Sequence, residues 1–267
     1  MKRVLTTPIS RAWMAAKSPS NVQSQAPQAV VGCAGWSLSR EYAVQFAAQG
    51  THLQRYGARL GGVEINSSFY RPHRRETYVR WAESVPDDFR FSVKAPKLIT
   101  HGQRLHSCEP LLELFLSQCS GLGDKLGCVL VQLPPSLRFD EAVAEAFFAT
   151  LREHFSGGVV LEPRHASWAA AEPLLQAQRI GRAAVDPSRF GGDSAPAGWP
   201  GLRYWRLHGA PRIYHDSYDE SQIQSLAVEL VAAVTAGAQA WCIFDNTASG
   251  AALGNALRLH ELATIRH

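Results

Sequence analysis

What most constrains the fold of this chain is an alternation that begins at residue 29. Eight short β-rich runs (29–33, 63–66, 89–94, 128–132, 159–162, 182–186, 203–208 and 240–245) each end in a polar or glycine cluster. Between them lie stretches of helical period at 39–56, 75–84, 109–121, 140–154, 167–178, 219–236 and 250–264, with Gly57, Gly121 and Gly157 marking stops. Strands that alternate with helices favour a parallel sheet covered by helices, and eight units of about 30 residues reach the roughly 250-residue size of an eightfold barrel. The expectation is one domain, a TIM-type (β/α)8 barrel over residues 29–267. A doubly wound open sheet is the rival, but the Gly32-Cys-Ala-Gly35 turn leads into Trp36 and not to a third glycine at a helix start. Segment 187–201, with Gly191, Gly192, Pro196, Gly198 and Pro200, replaces a helix with a loop and reads as an irregular connection before it reads as a lid.

Charge is uneven along the chain. The formal net charge is +4, and residues 1–28 carry Lys2, Arg3, Arg11 and Lys17 with no acid, which leaves 23 basic and 23 acidic groups in the rest. Residues 1–28 therefore read as a flexible basic extension before a formally neutral body, and neutrality disfavours a nucleic-acid partner. A targeting peptide is the lesser reading of that extension. Thr6, Thr7, Ser10 and Arg11 interrupt any secretory apolar core, and no segment reaches the about 18 apolar residues of a membrane span. Five cysteines without a Cys-x-x-Cys pair suggest neither a disulfide framework nor a zinc cluster, so a reducing, cytoplasmic setting is expected. Cys33, Cys128 and Cys242 lie in apolar runs and read as small buried hydrophobes.

Alternate side chains of a strand share a face, and (β/α) barrels keep their chemistry at the C-terminal rim. Parity groups Glu64 with Asn66, Ser92 with Lys94, Glu162 with Arg164, and Tyr204 with Arg206 and His208, while Gln132, Asp186 and Asp245 end their runs. Any one of these alone reads as a helix cap. Together they form a set that is costly inside a barrel unless it pairs with itself. Glu64, Glu162, Asp186 and Asp245 oppose Lys94, Arg164 and Arg206, with His208 able to titrate near neutrality. Such near-balance speaks against a dinuclear metal site, and no cofactor is predicted; a single divalent ion held by Glu162, Asp186, His208 and Asp245 is the alternative. The cations suit an anionic ligand, to which the turn at 246–250 offers amides and hydroxyls, unless it only caps the last helix. Glu64 and Glu162 are the acid/base candidates, with glycoside hydrolysis by that pair as a rival reaction. Trp36, Tyr70 and Trp168 follow strands and are candidates to stack on a sugar or base, though such aromatics more often finish the core. The Arg71-Pro-His-Arg-Arg75 cluster reads as a solvated face or a phosphate contact.

Several motifs occur together in one order: Gly35-Trp36, the 63–71 run Val-Glu-Ile-Asn-Ser-Ser-Phe-Tyr-Arg, Trp81 with Val85-Pro86, and Phe91-Ser-Val-Lys-Ala-Pro96. Then come Ile99-Thr-His101, Gln132-Leu-Pro-Pro135, Glu162-Pro-Arg-His165 with Trp168, Arg206-Leu-His-Gly209 and Phe244-Asp-Asn246. In these the chain resembles the YecE-like family, domain of unknown function 72, from about Val30 to Leu262. The resemblance implies a (β/α) barrel and no established activity. The motifs shared with that family fall on Glu64, Asn66, Lys94, His101, Gln132, Glu162, Arg164, His165, Arg206, His208 and Asn246, the strand-end positions that parity selects. One departure stands out: Leu38 and Phe46-Ala-Ala replace an aromatic and a Phe-Tyr-Pro segment, which implies a differently shaped first loop. At fold level only, the barrel is similar to the metal-dependent sugar isomerase and apurinic endonuclease group.

Three functional expectations follow. The first is an enzyme acting on a small polar, anionic or sugar-like ligand, with Glu64 and Glu162 exchanging protons. In it Lys94, Arg164 and Arg206 hold the ligand, and Asn66, Gln132, His208 and Asp245 orient it. The second is a nucleic-acid-binding or metal-dependent endonuclease-like barrel that uses Arg71, Arg74, Arg75 and the basic extension. The third binds a metabolite without turnover.

Overall fold

Local chemistry sets several helix starts before any distant contact is made. The Asp219 side chain accepts from the Gln222 amide while the Gln222 side chain accepts from the Asp219 amide, a reciprocal box that Thr51 and Gln54 repeat. Asp140 caps its helix through the Val143 amide. The computed structural model describes residues 29–265. The basic extension expected over 1–28 lies outside them. The strands are β1 Ala29–Cys33, β2 Gly62–Ile65, β3 Arg90–Lys94, β4 Leu126–Gln132, β5 Gly158–Glu162, β6 Gly181–Arg182, β7 Ala184–Asp186, β8 Ala197–Gly198, β9 Leu202–Leu207 and β10 Gln239–Phe244. The helices are α1 His52–Gly57, α2 Arg75–Glu83, α3 Glu109–Cys119, α4 Glu141–His154, α5 Glu172–Ala177, α6 Glu220–Thr235 and α7 Ala251–Ile265. No helix among the described residues is long and apolar enough to cross a membrane.

Three expected elements come out differently. The helix over 39–56 is a 3-10 turn at Arg40–Gln45 followed by α1, because Gly50 takes φ +100° and Thr51 opens a new capped helix. The helix over 167–178 is likewise a 3-10 turn, Ala166–Ala171, and then α5, restarted at Pro173. The run 182–186 belongs to two short strands separated at Ala183. Loop 187–201 is stapled down: its buried Asp193 accepts from the Ser188 hydroxyl and the Arg189 amide, and Arg182 donates to the Gly192 carbonyl.

Backbone hydrogen bonds arrange the strands in two sheets, β1-β10-β9-β7 and β2-β3-β4-β5-β6-β8, parallel except where β8 meets β6. Between β1 and β2 one backbone bridge joins Ala34 and Glu64. Beside it the Tyr56 hydroxyl accepts from the Cys33 amide at 2.8 Å and donates to the Gly62 carbonyl at 3.0 Å. The strands approach closely here, since a Cβ on Gly32 would fall 2.0 Å from the Gly62 oxygen. At the other junction β6 pairs with β5, and β7, one residue further on, pairs with β9.

Two apolar clusters sort the strand faces. Cys128, Leu130, Val160, Ala183, Val185, Leu202, Tyr204, Trp241 and Ile243, drawn from both sheets, pack with one another. The alternate residues, such as Val63, Val93, Leu161, Trp205 and Phe244, pack in the larger cluster that also takes the helices. All five cysteines are free and buried, and burial pushes the Cys33 thiol up to about 12.

Candidate functional site

The face that carries the smaller cluster continues, at the C-terminal strand ends, into charged side chains. Leu130 leads by parity to Gln132, Val160 to Glu162, Tyr204 to Arg206 and His208, and Ile243 to Asp245. Glu64 and Asn66 oppose Val63 and Ile65, and Ser92 and Lys94 oppose Phe91 and Val93, which lie in the larger cluster.

Arg206, fully buried, is the hub. Its Nε and Nη2 donate to Glu64 at 3.0 and 2.8 Å, a two-pronged contact. Nη1 donates to Glu162 at 3.2 Å, and Nη2 lies 3.0 Å from Asp245. Tyr204 donates to Glu64 at 3.0 Å and lies 3.1 Å from the Ser92 hydroxyl. Glu162 Oε1 accepts from Gln132 at 2.8 Å and from Arg164 Nε at 2.9 Å, and His208 Nδ1 lies 3.0 Å from Asp245. Burial would raise the Glu162 carboxyl, but Arg206, Arg164 and the His208 hydrogen bond outweigh it and hold the group well below the usual range. Asp245 is lowered in the same way by Arg206, His208 and Lys94 against its burial.

Above this network opens a cleft of about 580 Å³. Asn66, Lys94, Gln132, Arg164 and Asp245 line it from the strand ends, and Tyr70, Lys97 and His101 from the loops that follow β2 and β3. Lys94 is 4% exposed. Its Nζ has neither an ion pair nor a hydrogen bond among the described residues and lies 4.2 Å from the Phe69 ring centre. Burial first, then the Arg206 charge, pull its ammonium down from 10.5 to about 8, against the raising effect of Glu64, Glu162 and Asp245. The Asn66 Oδ1 is buried without a hydrogen-bond partner. His101 pairs with the Thr100 hydroxyl at 2.8 Å and packs edge-on to Phe69. Tyr70 is 76% exposed on the rim.

Four expected members lie elsewhere. Asp186 falls on the opposite face from Val185 and accepts from the Tyr218 hydroxyl at 2.7 Å, lining a separate cavity of about 280 Å³ beside α6. His165 accepts from the Ser167 amide as the cap of the turn that follows β5. Trp36 packs edge-on against Trp81 at 5.0 Å. Asn246 is fully buried and donates to the Asp216 carbonyl and to Asn255, tying a loop to α7. The 246–250 turn also gives up the phosphate-cradle reading in part, because its Ala248 amide donates to the Tyr214 carbonyl. Trp168 is core, and its indole donates to the Leu137 carbonyl. Arg71, Arg74 and Arg75 are exposed and line no part of the cleft.

Without Asp186 the charges of the cluster balance, three buried carboxylates against buried Lys94 and Arg206 and half-buried Arg164. The set does not fit the divalent ion considered for Glu162, Asp186, His208 and Asp245: Asp186 is outside it, and the Arg206 guanidinium already lies between the carboxylates a cation would join. Among the described residues one surface group, Glu109, Glu113 and His154, brings metal-type ligands together, and all three are exposed. Sequence reasoning missed Phe69, Lys97, Tyr214 and His215 on the cleft wall, while Thr247 comes from the turn it had offered to an anion. Tyr214, at φ +71°, packs edge-on against His208 at 5.5 Å from a loop with no periodicity to announce it.

Residues 30–267 match the family described as protein of unknown function DUF72. The chain belongs to the DUF72 family. Among DUF72 relatives, UPF0759 protein YecE of Escherichia coli strain K12 is 35% identical over 116 residues, 43% of this chain and 42% of that protein. UPF0759 protein YunF of Bacillus subtilis strain 168 is 28% identical over 146 residues, 52% of this chain and 51% of that one. The matched segments thus span about half the length of these relatives or less. The solved DUF72 protein EF0366 of Enterococcus faecalis V583 superposes with a TM-score of 0.74 at 22% identity, over 89% of this chain and 96% of that one. TM1631 of Thermotoga maritima MSB8 gives 0.70 at 24%, over 90% and 99%. At these identities the likeness carries the DUF72 fold, a single α/β domain.

Proposed function

We propose that this DUF72 chain is an enzyme acting on a small anionic, sugar-like ligand in the strand-end cleft. Its two sheets then form one closed (β/α)8 barrel. Supporting closure are the Tyr56 and Ala34–Glu64 links at one junction and the chain continuity from β6 to β7 at the other. Supporting the ligand class is the charge of the cleft wall. Among the described residues Lys94 and Lys97 have no ion pair, Arg164 uses Nε and Nη2 on Glu162 and has no partner at Nη1, and the acid Asp245 is paired with Arg206. The wall therefore offers a net positive surface beside amides of Asn66 and Gln132 that suit hydroxyl groups.

In this reading Glu64 and Glu162 are positioning residues, because their oxygens are occupied by Arg206, Arg164, Tyr204 and Gln132. The groups that face ligand are Lys94, Arg164, Asn66 and Asp245. Five buried, unpaired thiols agree with a reducing compartment. Calorimetry with sugar phosphates and sugar acids tests the ligand class. The expected result is binding that Arg164→Gln weakens by about tenfold or more, the loss of one charge-assisted hydrogen bond. Preference for the neutral sugars over their anionic counterparts would overturn it.

A further inference from the structure

We infer that Lys94 is a covalent catalytic residue whose amine condenses with the carbonyl of a substrate that also carries an anionic group, held by Arg164. The inference rests on the ligand class proposed above and narrows it to carbonyl compounds. Its basis is the way the fold isolates one amine. Lys94 is the last residue of β3, with its backbone fixed on both sides: its carbonyl accepts from the Ser68 hydroxyl at 2.7 Å, and the next amide, Ala95, donates to the Leu130 carbonyl of β4. Its side chain is buried and lines the cleft.

Every carboxylate near this amine is engaged elsewhere. Glu64 is taken by Arg206 and Tyr204, Glu162 by Arg206, Arg164 and Gln132, and Asp245 by Arg206 and His208. What Lys94 meets instead is the Phe69 ring and the like charge of Arg206. A lysine serving only as a counter-charge would sit within ion-pair distance of an acid. This one has no acid within ion-pair distance among the described residues, and burial together with the like charge of Arg206 frees its lone pair, against the pull of the Phe69 ring face on the ammonium. With its ammonium lowered to about 8, the amine is free near neutral pH far more often than that of an ordinary lysine.

The step balances without an outside oxidant or reductant. The amine lone pair forms a C–N bond to the carbonyl carbon, and a proton passes from nitrogen to the former carbonyl oxygen. The C–O bond then breaks, and that oxygen leaves as water with one further proton from solvent. An iminium cation remains where the ammonium stood, so the positive charge facing the three carboxylates is restored. The iminium is an electron sink for cleavage of a bond next to the former carbonyl carbon.

The test uses the full chain with pyridoxal 5′-phosphate as an aldehyde bearing an anion, pyridoxal as its neutral counterpart, and borohydride to reduce any imine, followed by peptide mass mapping. The expected result is a reduced adduct, the probe mass less one oxygen, on Lys94 in preference to Lys97 and Lys125. The phosphate should speed it by about tenfold, an advantage that Arg164→Gln removes. Lys94→Arg should abolish the adduct while keeping the fold. Labelling of Lys97 or Lys125 with Lys94 untouched overturns the inference. Calorimetry with the same phosphate probe and no borohydride separates the two ideas: Arg164-dependent binding without an adduct sinks the covalent step alone, whereas no binding and no adduct sink both.

Discussion

Replacing Arg206 by methionine tests the buried network most severely. The guanidinium serves three carboxylates at once, with contacts of 2.8 Å to Glu64, 3.2 Å to Glu162 and 3.0 Å to Asp245, all buried. Methionine fills much of the volume but leaves three carboxylates facing two cations. Removing one partner of a buried ion pair costs about 3–5 kcal/mol, because the remaining charge is desolvated and uncompensated. In a domain of this size each kcal/mol lowers the melting temperature by about 2–4 °C, so Arg206→Met should melt roughly 6–20 °C below the parent. The pH dependence has a definite sign. In the parent, Glu162 and Asp245 have depressed native values, so their contribution is present above the ordinary carboxylate range and is lost as pH falls through those values. In the variant burial acts with less opposition, the native values rise, and protonation relieves the penalty, so the difference from the parent should shrink as pH falls from about 8 to about 5. Urea unfolding followed by circular dichroism at several pH values measures this. The double variant Glu64→Gln/Arg206→Met should recover part of the loss. A loss under about 1 kcal/mol, or one independent of pH, would show that Arg206 behaves as an exposed pair and not as a buried hub.

Three further outcomes are expected. Lys94 has a native value lowered from 10.5 to about 8, so the folded protein holds fewer protons than the unfolded chain between those values and gains stability as pH rises through them. Lys94→Met should therefore be the more stable protein at pH 7, by about 3 kcal/mol at most, with the advantage fading towards pH 10; unfolding curves of both proteins at each pH decide it. Asp186→Ala should leave anion binding in the cleft unchanged by calorimetry and cost about 1 kcal/mol for the lost Tyr218 hydrogen bond; altered binding would put Asp186 back in the site. Gly32→Ala places a Cβ 2.0 Å from the Gly62 carbonyl oxygen and should destabilise by at least about 3 kcal/mol, with native-like melting arguing against the close β1–β2 approach.

The expected strands coincide with those of the structure to within one or two residues at most ends, because period-2 alternation is a local property of an extended backbone. The same locality made most of the polar face legible: Glu64, Lys94, Gln132, Glu162, Arg206, His208 and Asp245 meet, as parity requires. It did not reach Asp186. That residue ends a three-residue strand whose polar terminus resembles the others, yet its neighbour Val185 is the one packed among Leu130, Val160 and Ile243. Strand-end position and strand face are separate facts. For His165 and Asn246 the motif was visible, but its use in capping and in tying a loop to α7 was not.

The alternation of strands and helices, the helix starts at Asp140 and Asp219, and the near-equality of opposite charges on one strand face were legible along the chain, since each depends on neighbours a few residues apart. Tertiary structure alone decided which of those charges pair. Arg206 and Glu64 are 142 residues apart in sequence and 2.8 Å apart in space, and the Tyr56 hydroxyl bridges two strands without being in either. It also decided that Lys94 is the cation left over. Pairing and desolvation act through space between groups the chain order does not bring together, so the perturbed amine arises only once the strands have assembled.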